Sequence, residues 1–416
     1  MRVLIFSAQY LPVIGGVERY TDGLARALVA RGHQVTIVAN RVPGTPWREV
    51  VSGVEVLRVP SARLLQGRYP VPLPTTECRA ILRHLWKRHY DLAIVNTRFY
   101  PLSLWAVRAC HAHRVPSYLV EHGSGYLSLG SPVLDRAVRV YEHAAARVAR
   151  RYVGDFFGVS GQSAAWLRTF GVTARGILPN SVDPDQIRTE ADAGPWDVRQ
   201  RCGIAADAPL VVYVGRLMPT KGIRELVAAL PEVRRAVPGT TLVIAGQGPI
   251  EAELSRYSPT VTGRADGYAV RGVVFLGLLS HAETLSLLAQ ADVFCLPSYS
   301  EGFSTVVLEA AALGTHVAMT PVGGASEMLP DESYGTLLPN HDPAAIAAGL
   351  IDALSHPTQR RAAARRTRDR VNSTFTWDRT AQALEHAVHG DGAVASPEPG
   401  GTARRSTKGT SDGVVC

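Results

Sequence analysis

The sequence is poor in cysteine, in lysine and in long apolar runs. Its five cysteines are widely spaced and contain no C-x-x-C pair, which argues against a disulfide framework and against a zinc site. No run approaches the roughly 18 apolar residues that span a bilayer, and the opening residues 1–16 are typical of a first strand and not of a signal peptide. We therefore expect a cytoplasmic protein, either soluble or peripheral on the inner face of the membrane.

The charge is unevenly divided along the 416 residues. Residues 1–185 carry 23 Lys and Arg against 12 Asp and Glu, whereas residues 186–416 carry 21 against 24. A basic N-terminal half attracts phosphates, anionic lipid headgroups or nucleic acid. The alternative is a general preference for arginine, because only three of the basic residues are lysines. No nucleic-acid-binding motif is recognisable.

The order of predicted elements indicates two domains of the same kind. An apolar run at 2–8, a helical pattern at 17–31 and a strand-like run at 34–40 form a βαβ unit, and the alternation restarts at 209–217 after a Pro-, Asp- and Gly-containing segment at 184–208 that suits a hinge. This pattern predicts two doubly wound, Rossmann-like domains with a cleft between them. The other predicted strands are 54–60, 92–97, 117–123, 156–160, 241–246, 273–277, 292–298 and 315–320, and the other predicted helices are 77–89, 133–151, 222–237, one from 281 and one around 305–313.

These boundaries divide the chain into four parts. We expect an N-terminal domain over 1–185, a C-terminal domain over 186–372, a final helix over 373–390 that packs back towards the N-terminal domain, and a disordered tail over 391–416. The tail is rich in Gly, Ser, Thr and Pro, a composition that does not build a packed core.

Two glycines follow the first predicted strand. Gly15 and Gly16 open the helix that begins GVERY, but the third glycine of a dinucleotide-binding motif is missing and Asn40 stands where an acidic residue would end the next strand. An NAD site is therefore not expected. Glycines at a helix N-terminus still let backbone amides approach an anion. The alternative is a tight turn with no ligand.

Two cations follow the first strand of the second predicted domain. Arg216 and Lys221 lie in VGRLMPTKG, at the carboxyl end of the strand, where ligands of such sheets bind. Both suit the neutralisation of a diphosphate. The alternative is a pair of ordinary surface cations, but lysine is rare in this chain and Lys221 therefore stands out.

Two carboxylates stand eight residues apart in PSYSEGFSTVVLEA. If Gly302 and Phe303 open a helix, Glu301 and Glu309 share one of its faces. Free amides near the helix start would bind phosphate oxygens, and the carboxylates would accept hydrogen bonds from sugar hydroxyls. The alternative is a capped helix with a solvated glutamate.

Four segments together resemble glycosyltransferase family 4. They are EGFSTVVLE at 301–309, GRLMPTKG at 215–222, PNSVD at 179–183 and the opening YLPVIGGVE. The resemblance covers roughly residues 1–390. It implies the GT-B fold, an acceptor-binding N-terminal domain, a donor-binding C-terminal domain, and retaining transfer from a nucleotide-diphosphate sugar to a hydroxyl acceptor without a metal or other cofactor.

The resemblance also implies roles for individual residues. Arg216 and Lys221 contact the donor diphosphate, Glu301 contacts the transferred sugar, and Glu309 binds the ribose hydroxyls. His122 of SYLVEHG matches the histidine that the N-terminal domain brings to the sugar. The expected donor-binding positions are completed by Gly16, Gly302 and the amides near Phe303, Ser304 and Thr305.

The sequence departs from the family pattern at two positions. Ser181 replaces the usual glycine of PNSVD, and Ser304 stands where glycine or proline is commoner. Glu327, in PVGGASE, is interpreted as support for a loop near the donor. Neither His111 with His113 nor the D-x-D formed by Asp183 and Asp185 is interpreted as a metal site.

Other functions stay open from the sequence alone. A sugar-nucleotide epimerase or a phosphorylase has the same two-domain plan, and a catalytically silent nucleotide-sugar binder or scaffold subunit is the alternative outside enzymes. The acceptor is a sugar, a lipid-linked glycan precursor or a phosphorylated one. The helix at 77–89 carries Leu82, Leu85 and Trp86 beside several basic residues and would lie on an anionic membrane, or it is simply a solvated helix.

Overall fold

The computed structural model describes residues 1–67, 69–127, 131–193, 196–254 and 272–390. The segment predicted as a disordered tail lies outside these residues. Within them, no helix is both long enough and apolar enough to cross a membrane.

The first half of the chain builds a sheet from mostly parallel strands. Its strands are β1 Arg2–Phe6, β2 Gln34–Asn40, β3 Arg48–Val51, β4 Val54–Val59, β5 Ser61–Leu64, β6 Tyr69–Pro72, β7 Leu92–Asn96, β8 Ser117–Glu121, β9 Asp155–Gly158 and β10 Gly176–Ile177. Eight of them pair in the order β10-β9-β8-β7-β1-β2-β4-β3, and β5 pairs with β6 as a separate hairpin. The described pairs of the large sheet are parallel except for β3, which is antiparallel to β4. Strands β7 and β8 are buried along their whole length, as expected for a sheet covered on both faces.

The second half repeats the plan with a six-stranded parallel sheet. Its strands are β11 Leu210–Val214, β12 Thr241–Ala245, β13 Val273–Gly277, β14 Val293–Leu296, β15 His316–Met319 and β16 Thr336–Leu337. They pair in the order β13-β12-β11-β14-β15-β16. In such a sheet the ligand site lies outside the carboxyl ends of the strands. The two sheets together confirm the predicted pair of Rossmann-like domains.

Helices cover both sheets. They are α1 Gly16–Ala30, α2 Thr76–Leu85, α3 Pro101–Ala112, α4 Pro132–Tyr152, α5 Gly161–Trp166, α6 Pro184–Ala193, α7 Val198–Cys202, α8 Ile223–Ala236, α9 Glu251–Leu254, α10 His281–Gln290, α11 Thr305–Ala312, α12 Ala325–Met328, α13 Pro343–Ser355, α14 Pro357–Thr374 and α15 Trp377–His389. Several begin where a side chain accepts a hydrogen bond from the first turn, and Ser280 and Glu283 form a full capping box at α10.

The segment at 184–208, predicted as a hinge, is largely helical. The Asp183 carboxylate accepts from the backbone amides of Asp185 and Gln186 and so caps α6, and Asp197 caps α7 in the same way. Between them, the indole nitrogen of Trp196 donates to the carbonyl of Glu283 at 3.1 Å. The Asp and Pro residues of this segment therefore start helices that pack on α10, because both residue types favour helix N-termini.

The last helix packs on the first one. The Trp377 ring of α15 lies over Gly23 of α1 and contacts the ring of Tyr20 edge-on, with 5.7 Å between centroids. At the other end of α1, Arg31 donates to Glu385 at 2.7 Å. This hydrogen bond, with a smaller opposing effect of burial, holds the pKa of Glu385 down at about 2. The C-terminal helix thus returns to the N-terminal domain.

Gly23 tests this packing because a methyl group there would lie 2.1 Å from the Trp377 ring. Helix propensity alone predicts that Gly23→Ala stabilises the protein by roughly 0.5–1 kcal/mol. We expect instead a loss of about 1–3 kcal/mol from overpacking, measured by denaturant unfolding. In a Trp377→Ala background the same change should become neutral or stabilising. A stabilised single variant would contradict the described contact.

Candidate active site

The two domains meet at a backbone contact between β8 and α11. A methyl group on Gly302 would lie 1.9 Å from the carbonyl oxygen of His122, so no larger residue fits there without separating the domains. Beside this contact, the Ser124 hydroxyl lies 3.1 Å from that of Ser300 and donates to the carbonyl of Glu301. The loop after β8 and the loop before α11 are therefore held together across the cleft.

His122 lies in this contact with a defined tautomer. Its Nε2 is 3.1 Å from Oδ1 of Asn96, whose amide nitrogen donates to the Thr21 hydroxyl at 2.8 Å. That hydroxyl donates to the carbonyl of Val17 at 2.7 Å. Because a carbonyl only accepts, this chain of bonds turns the Asn96 oxygen towards His122, and Nε2 carries the hydrogen. Nδ1 is left as an acceptor on an imidazole that burial keeps neutral, with a pKa lowered to about 3.

A buried cluster of three charges lies beneath the His122 loop. Arg98 donates to Glu121 on one side and to Glu142 on the other, and all three residues are buried. The second oxygen of Glu121 accepts from the amide of Gly123 at 3.0 Å. Burial raises the pKa of Glu142, against the opposing effects of the Leu127 amide and Arg98. The loop that carries His122 is thus tied to a rigid ionic cluster.

Glu301, in the loop before α11, forms an ion pair with Lys221, in the loop after β11. The Lys221 ammonium donates to Oε1 of Glu301 at 2.6 Å, and the Ser298 hydroxyl donates to the same oxygen at 2.7 Å. The predicted sugar-binding carboxylate and the predicted diphosphate-binding cation therefore lie in direct contact. The ion pair with Glu301 therefore orients the Lys221 ammonium before a ligand binds.

Helix α11 begins at Thr305, in agreement with the predicted helix around 305–313. The condition that Gly302 and Phe303 open this helix is not met. Ser304 is the N-cap residue, and its side chain does not accept a hydrogen bond from the first turn. Phe303 precedes the helix, and its ring is buried against Phe375, at 5.4 Å between centroids. Glu309 lies one turn into the helix and Glu301 lies outside it, so the two carboxylates do not share a helical face.

Glu309 has partners of its own in the cleft. Its Oε1 accepts from Arg19 of α1 and lies 3.1 Å from Nε2 of His281. His281 Nδ1 lies 2.7 Å from a carboxylate oxygen of Glu190. The hydrogen bond to Glu309 raises the pKa of His281, against the opposing effect of burial. This network joins α1 of the N-terminal domain to α6, α10 and α11.

Arg216 lies close enough to α1 for its charge to act on Glu18, in the turn that Gly16 opens. Arg216 is exposed after β11, and its charge opposes the rise that burial causes in the pKa of Glu18. A methyl group on Gly15 would lie 2.4 Å from the Glu18 carboxylate, whereas one on Gly16 would meet no atom within 4 Å. A larger residue at position 15 would therefore displace the Glu18 carboxylate, whereas Gly16 leaves open space at the helix start.

Two residues from segments that the sequence analysis singled out support the site. Asn180 donates to the carbonyl of Phe303 at 2.6 Å, and Glu327 accepts from the amide of Gly161 at 2.6 Å. Glu327 therefore supports a loop of the N-terminal domain. Sequence reasoning missed Arg19 and His281 as site residues. Of these two, only Arg19 had a sequence signal, because it lies three residues after Gly16 in the GVERY segment.

Part of the predicted site lines an interdomain cavity of about 820 Å³. Thr305 and Glu309 contribute to its wall, together with Arg19 and His281. This volume lies within the range of about 300–1,000 Å³ that is usual for small-molecule sites. Asp183 is occupied as a helix cap, and the described residues contain no group of three His, Cys, Asp or Glu that could hold a metal ion.

Solved structures with the same architecture define the class. Sucrose-phosphate synthase from Thermosynechococcus elongatus matches with a TM-score of 0.69 at 23% identity, over 94% of this chain and 98% of that one. HepE from Anabaena, solved with UDP-glucose, matches with a TM-score of 0.70 at 18% identity, over 94% and 100%. The fold and the interdomain site define a GT-B protein, as predicted.

Sequence comparison narrows the class to a family. The model described as Glycosyltransferase Family 4 matches residues 14–186, and that described as Glycosyl transferases group 1 matches residues 196–370. Glycogen synthase of Mycobacterium tuberculosis is 30% identical over 405 residues, which cover 92% of this chain and 93% of that protein. A GDP-mannose-dependent alpha-(1-6)-phosphatidylinositol monomannoside mannosyltransferase of Mycolicibacterium smegmatis is 31% identical over 377 residues, which cover 87% and 91%.

The chain belongs to glycosyltransferase family 4. It is a transferase of EC class 2.4. The predicted family, fold and enzyme class are confirmed, and neither a silent subunit nor an epimerase is favoured.

Desolvation of His122 predicts that the protonation state of its imidazole does not change near neutral pH. Its pKa is lowered from 6.5 to about 3, so the ring stays neutral, with its hydrogen on Nε2, between about pH 5 and 8. Nitrogen NMR of the imidazoles, with the signal assigned through His122→Gln, should show no titration in this range. A midpoint near 6.5, or a hydrogen on Nδ1, would contradict the described environment.

Proposed function

We propose that the enzyme transfers a sugar from a nucleotide-diphosphate sugar to a hydroxyl acceptor, with retention of the anomeric configuration and without a metal ion. The observation that carries the proposal is the arrangement of residues 301–309. Within this segment, a carboxylate held by Lys221, an uncapped helix start and a second carboxylate follow one another, and the backbone of Gly302 lies against His122. In that order, these groups suit the sugar, the diphosphate and the ribose of a donor.

The diphosphate lies between Lys221, Arg216 and the start of α11 in this proposal. As the bond to the anomeric carbon breaks, negative charge grows on the departing phosphate oxygen. The Lys221 ammonium and the free first-turn amides of α11 are oriented before the reaction and stabilise that charge. Because there is open space beside Gly16 at the start of α1, the N-terminal domain can approach the departing phosphate from the other side of the cleft.

The transferred sugar lies between Glu301 and His122. The neutral His122 ring offers Nδ1 as an acceptor for a sugar hydroxyl, and its carbonyl contact with Gly302 brings it to the C-terminal domain. Glu301 is already bonded to Lys221 and Ser298, which suits a sugar-binding role better than that of a nucleophile. A same-face displacement, in which the departing phosphate helps to deprotonate the acceptor, follows from this assignment.

The ion-pair partner Lys221 is the sharpest test of donor binding. Thermal shift of the wild-type protein against UDP-, GDP-, ADP- and TDP-sugars, with a metal chelator present, should show stabilisation by one nucleotide. Lys221→Ala should abolish that shift and lower kcat by about 10²–10³-fold. Lys87→Ala, which removes an exposed lysine of the N-terminal domain, is the matched control.

Product analysis and the thermal-shift experiment together test the remaining parts of the proposal. NMR of the product formed by the wild-type enzyme should show the donor's anomeric configuration, and an inverted product would contradict retention. A shift that requires added divalent metal would contradict metal independence. If no sugar nucleotide shifts the folded protein, the proposed donor site is wrong.

The acceptor is proposed to be carried on a lipid at an anionic membrane. Strands β1, β4 and β8 run in the same direction, so the loops that follow them lie at one edge of the sheet, the edge that faces the active site. These loops and the helix α4 expose aliphatic side chains. We name this surface the apolar rim, formed by Ile14, Leu64, Leu65, Val133, Leu134 and Val140.

Hydrogen bonds join the parts of the apolar rim. Gln9, after β1, donates to the carbonyl of Gly67 in the β5–β6 hairpin at 2.5 Å, and Tyr69 of the hairpin donates to Tyr141 of α4 at 2.6 Å. Arg136 and Arg139 lie on α4 between the exposed aliphatic residues. An apolar surface with interspersed cations beside an active site suits an anionic bilayer, and one relative is by name a phosphatidylinositol monomannoside mannosyltransferase.

Helix α2 exposes less apolar surface for a membrane than the sequence indicated. Leu85 is buried in the core, and the Trp86 ring stacks on His113 at 4.0 Å between centroids. The basic residues Arg79 and Arg83 are exposed. This helix therefore offers charge to a membrane but keeps its large apolar side chains inside.

The apolar rim predicts a specific pattern of vesicle binding. Co-sedimentation of the wild-type protein should be stronger with anionic than with neutral phospholipid vesicles. Replacing Val133, Leu134 and Val140 together by serine should weaken binding by at least about ten-fold, whereas Arg79→Gln with Arg83→Gln should have a smaller effect. Wild-type protein that stays in the supernatant, or a triple variant that binds as the wild type does, would contradict the assignment.

A further inference from the structure

Arg19 reaches across the cleft to the carboxylate expected at the donor ribose. It lies in the first turn of α1, three residues after Gly16, and its guanidinium donates to Oε1 of Glu309 in α11. Glu309 is almost fully buried, with 5% of its side chain exposed. The contact therefore joins the N-terminal domain to the interior of the C-terminal site.

The two oxygens of Glu309 have different surroundings. Oε1 accepts from Arg19 and lies 3.1 Å from His281, which in turn lies 2.7 Å from Glu190. Oε2 is buried and has no hydrogen-bond partner among the described residues. A buried carboxylate oxygen without a donor is costly, and a hydroxyl group from a ligand would supply the missing hydrogen.

The free oxygen belongs to a residue in the wall of the interdomain cavity. Arg19, His281, Thr305 and Glu309 all line this cavity of about 820 Å³. Thr305 is the first residue of the helix whose uncapped amides are assigned to the diphosphate. Thr305 and Glu309 are about one helical turn apart, so the ribose of a nucleoside diphosphate bound at that helix start can reach Glu309.

We infer that Arg19 is a positioning residue for the donor: it holds Glu309 across the cleft so that Oε2 faces the ribose diol. This inference rests on the proposed function of Glu309. The Arg19 contact leaves one carboxylate oxygen for the ligand and fixes its direction. It also ties recognition of the ribose to α1, the helix whose start places Gly16 near the diphosphate.

The inference predicts that Arg19 matters for the ribose hydroxyls and not for the nucleotide in general. Without Arg19 the Glu309 carboxylate keeps only its contact with His281, and the direction of Oε2 is less well fixed for a ribose hydroxyl. Binding of a ribonucleotide should weaken, whereas binding of a nucleotide that lacks the hydroxyl should change little. A residue with only a structural role would affect both nucleotides equally.

The test uses calorimetric titration of the full chain with ADP, GDP and UDP and with their 2′-deoxy and 3′-deoxy counterparts. The wild-type protein should bind its preferred ribonucleotide at least about ten-fold more tightly than one of the two deoxy forms. Arg19→Gln should lose most of that ratio, and Arg19→Lys should recover part of it. Arg41→Gln, which breaks a 2.7 Å pair with Glu77 on the surface of the same domain, should leave the ratio unchanged.

The outcomes separate the inference from the function on which it rests. If the wild type binds no nucleotide, both the donor site and the role of Arg19 are wrong. If the wild type discriminates between ribose and deoxyribose and folded Arg19→Gln keeps the same ratio, only the role of Arg19 is wrong. If Arg19→Gln does not fold, Arg19→Lys is measured in its place. An affinity ratio of Arg19→Lys equal to that of the wild type would then overturn the inference.

Discussion

The arrangement of the two domains depends on the absence of a side chain at Gly302. The carbonyl of His122 occupies the space that a methyl group would need, so the backbones themselves are in contact at the centre of the cleft. The neighbours of Gly302 act in different directions: Glu301 turns towards Lys221, and Phe303 enters the core against Phe375. Gly302 thus separates a charged residue that is paired with Lys221 from an apolar residue that anchors the loop.

The charged groups of the cleft are compensated before any ligand arrives. Lys221 is paired with Glu301, Glu309 with Arg19, and Arg98 lies between two buried carboxylates. Removing one member of such a buried pair leaves an uncompensated charge, which costs more than the pair contributes. Donor binding at such a site exchanges one set of partners for another and creates no isolated charge. The same argument explains why His122, which has no ionic partner in the described part of the chain, is kept neutral.

The sequence predicted the repeated architecture because buried parallel strands are apolar runs whose limits are visible without any structure. The strand at 34–40 followed this rule. The helices α1, α8 and α10 were predicted from apolar positions at helical spacing. The short strand β3 and the β5–β6 hairpin carry exposed, mixed side chains and gave no such signal. The Arg19–Glu309 contact joins residues 290 positions apart, and the Asn96 bond that sets the His122 tautomer joins two separate strands. Neither is visible in local patterns.

The chain passes between the domains twice, and the two passages lie side by side. Val182 donates to the carbonyl of Phe375 at 2.9 Å, and its own carbonyl accepts from Trp377 at 3.4 Å. Because the two crossings are bonded to each other, neither can bend without the other. Any movement of one domain relative to the other must therefore deform both crossings together.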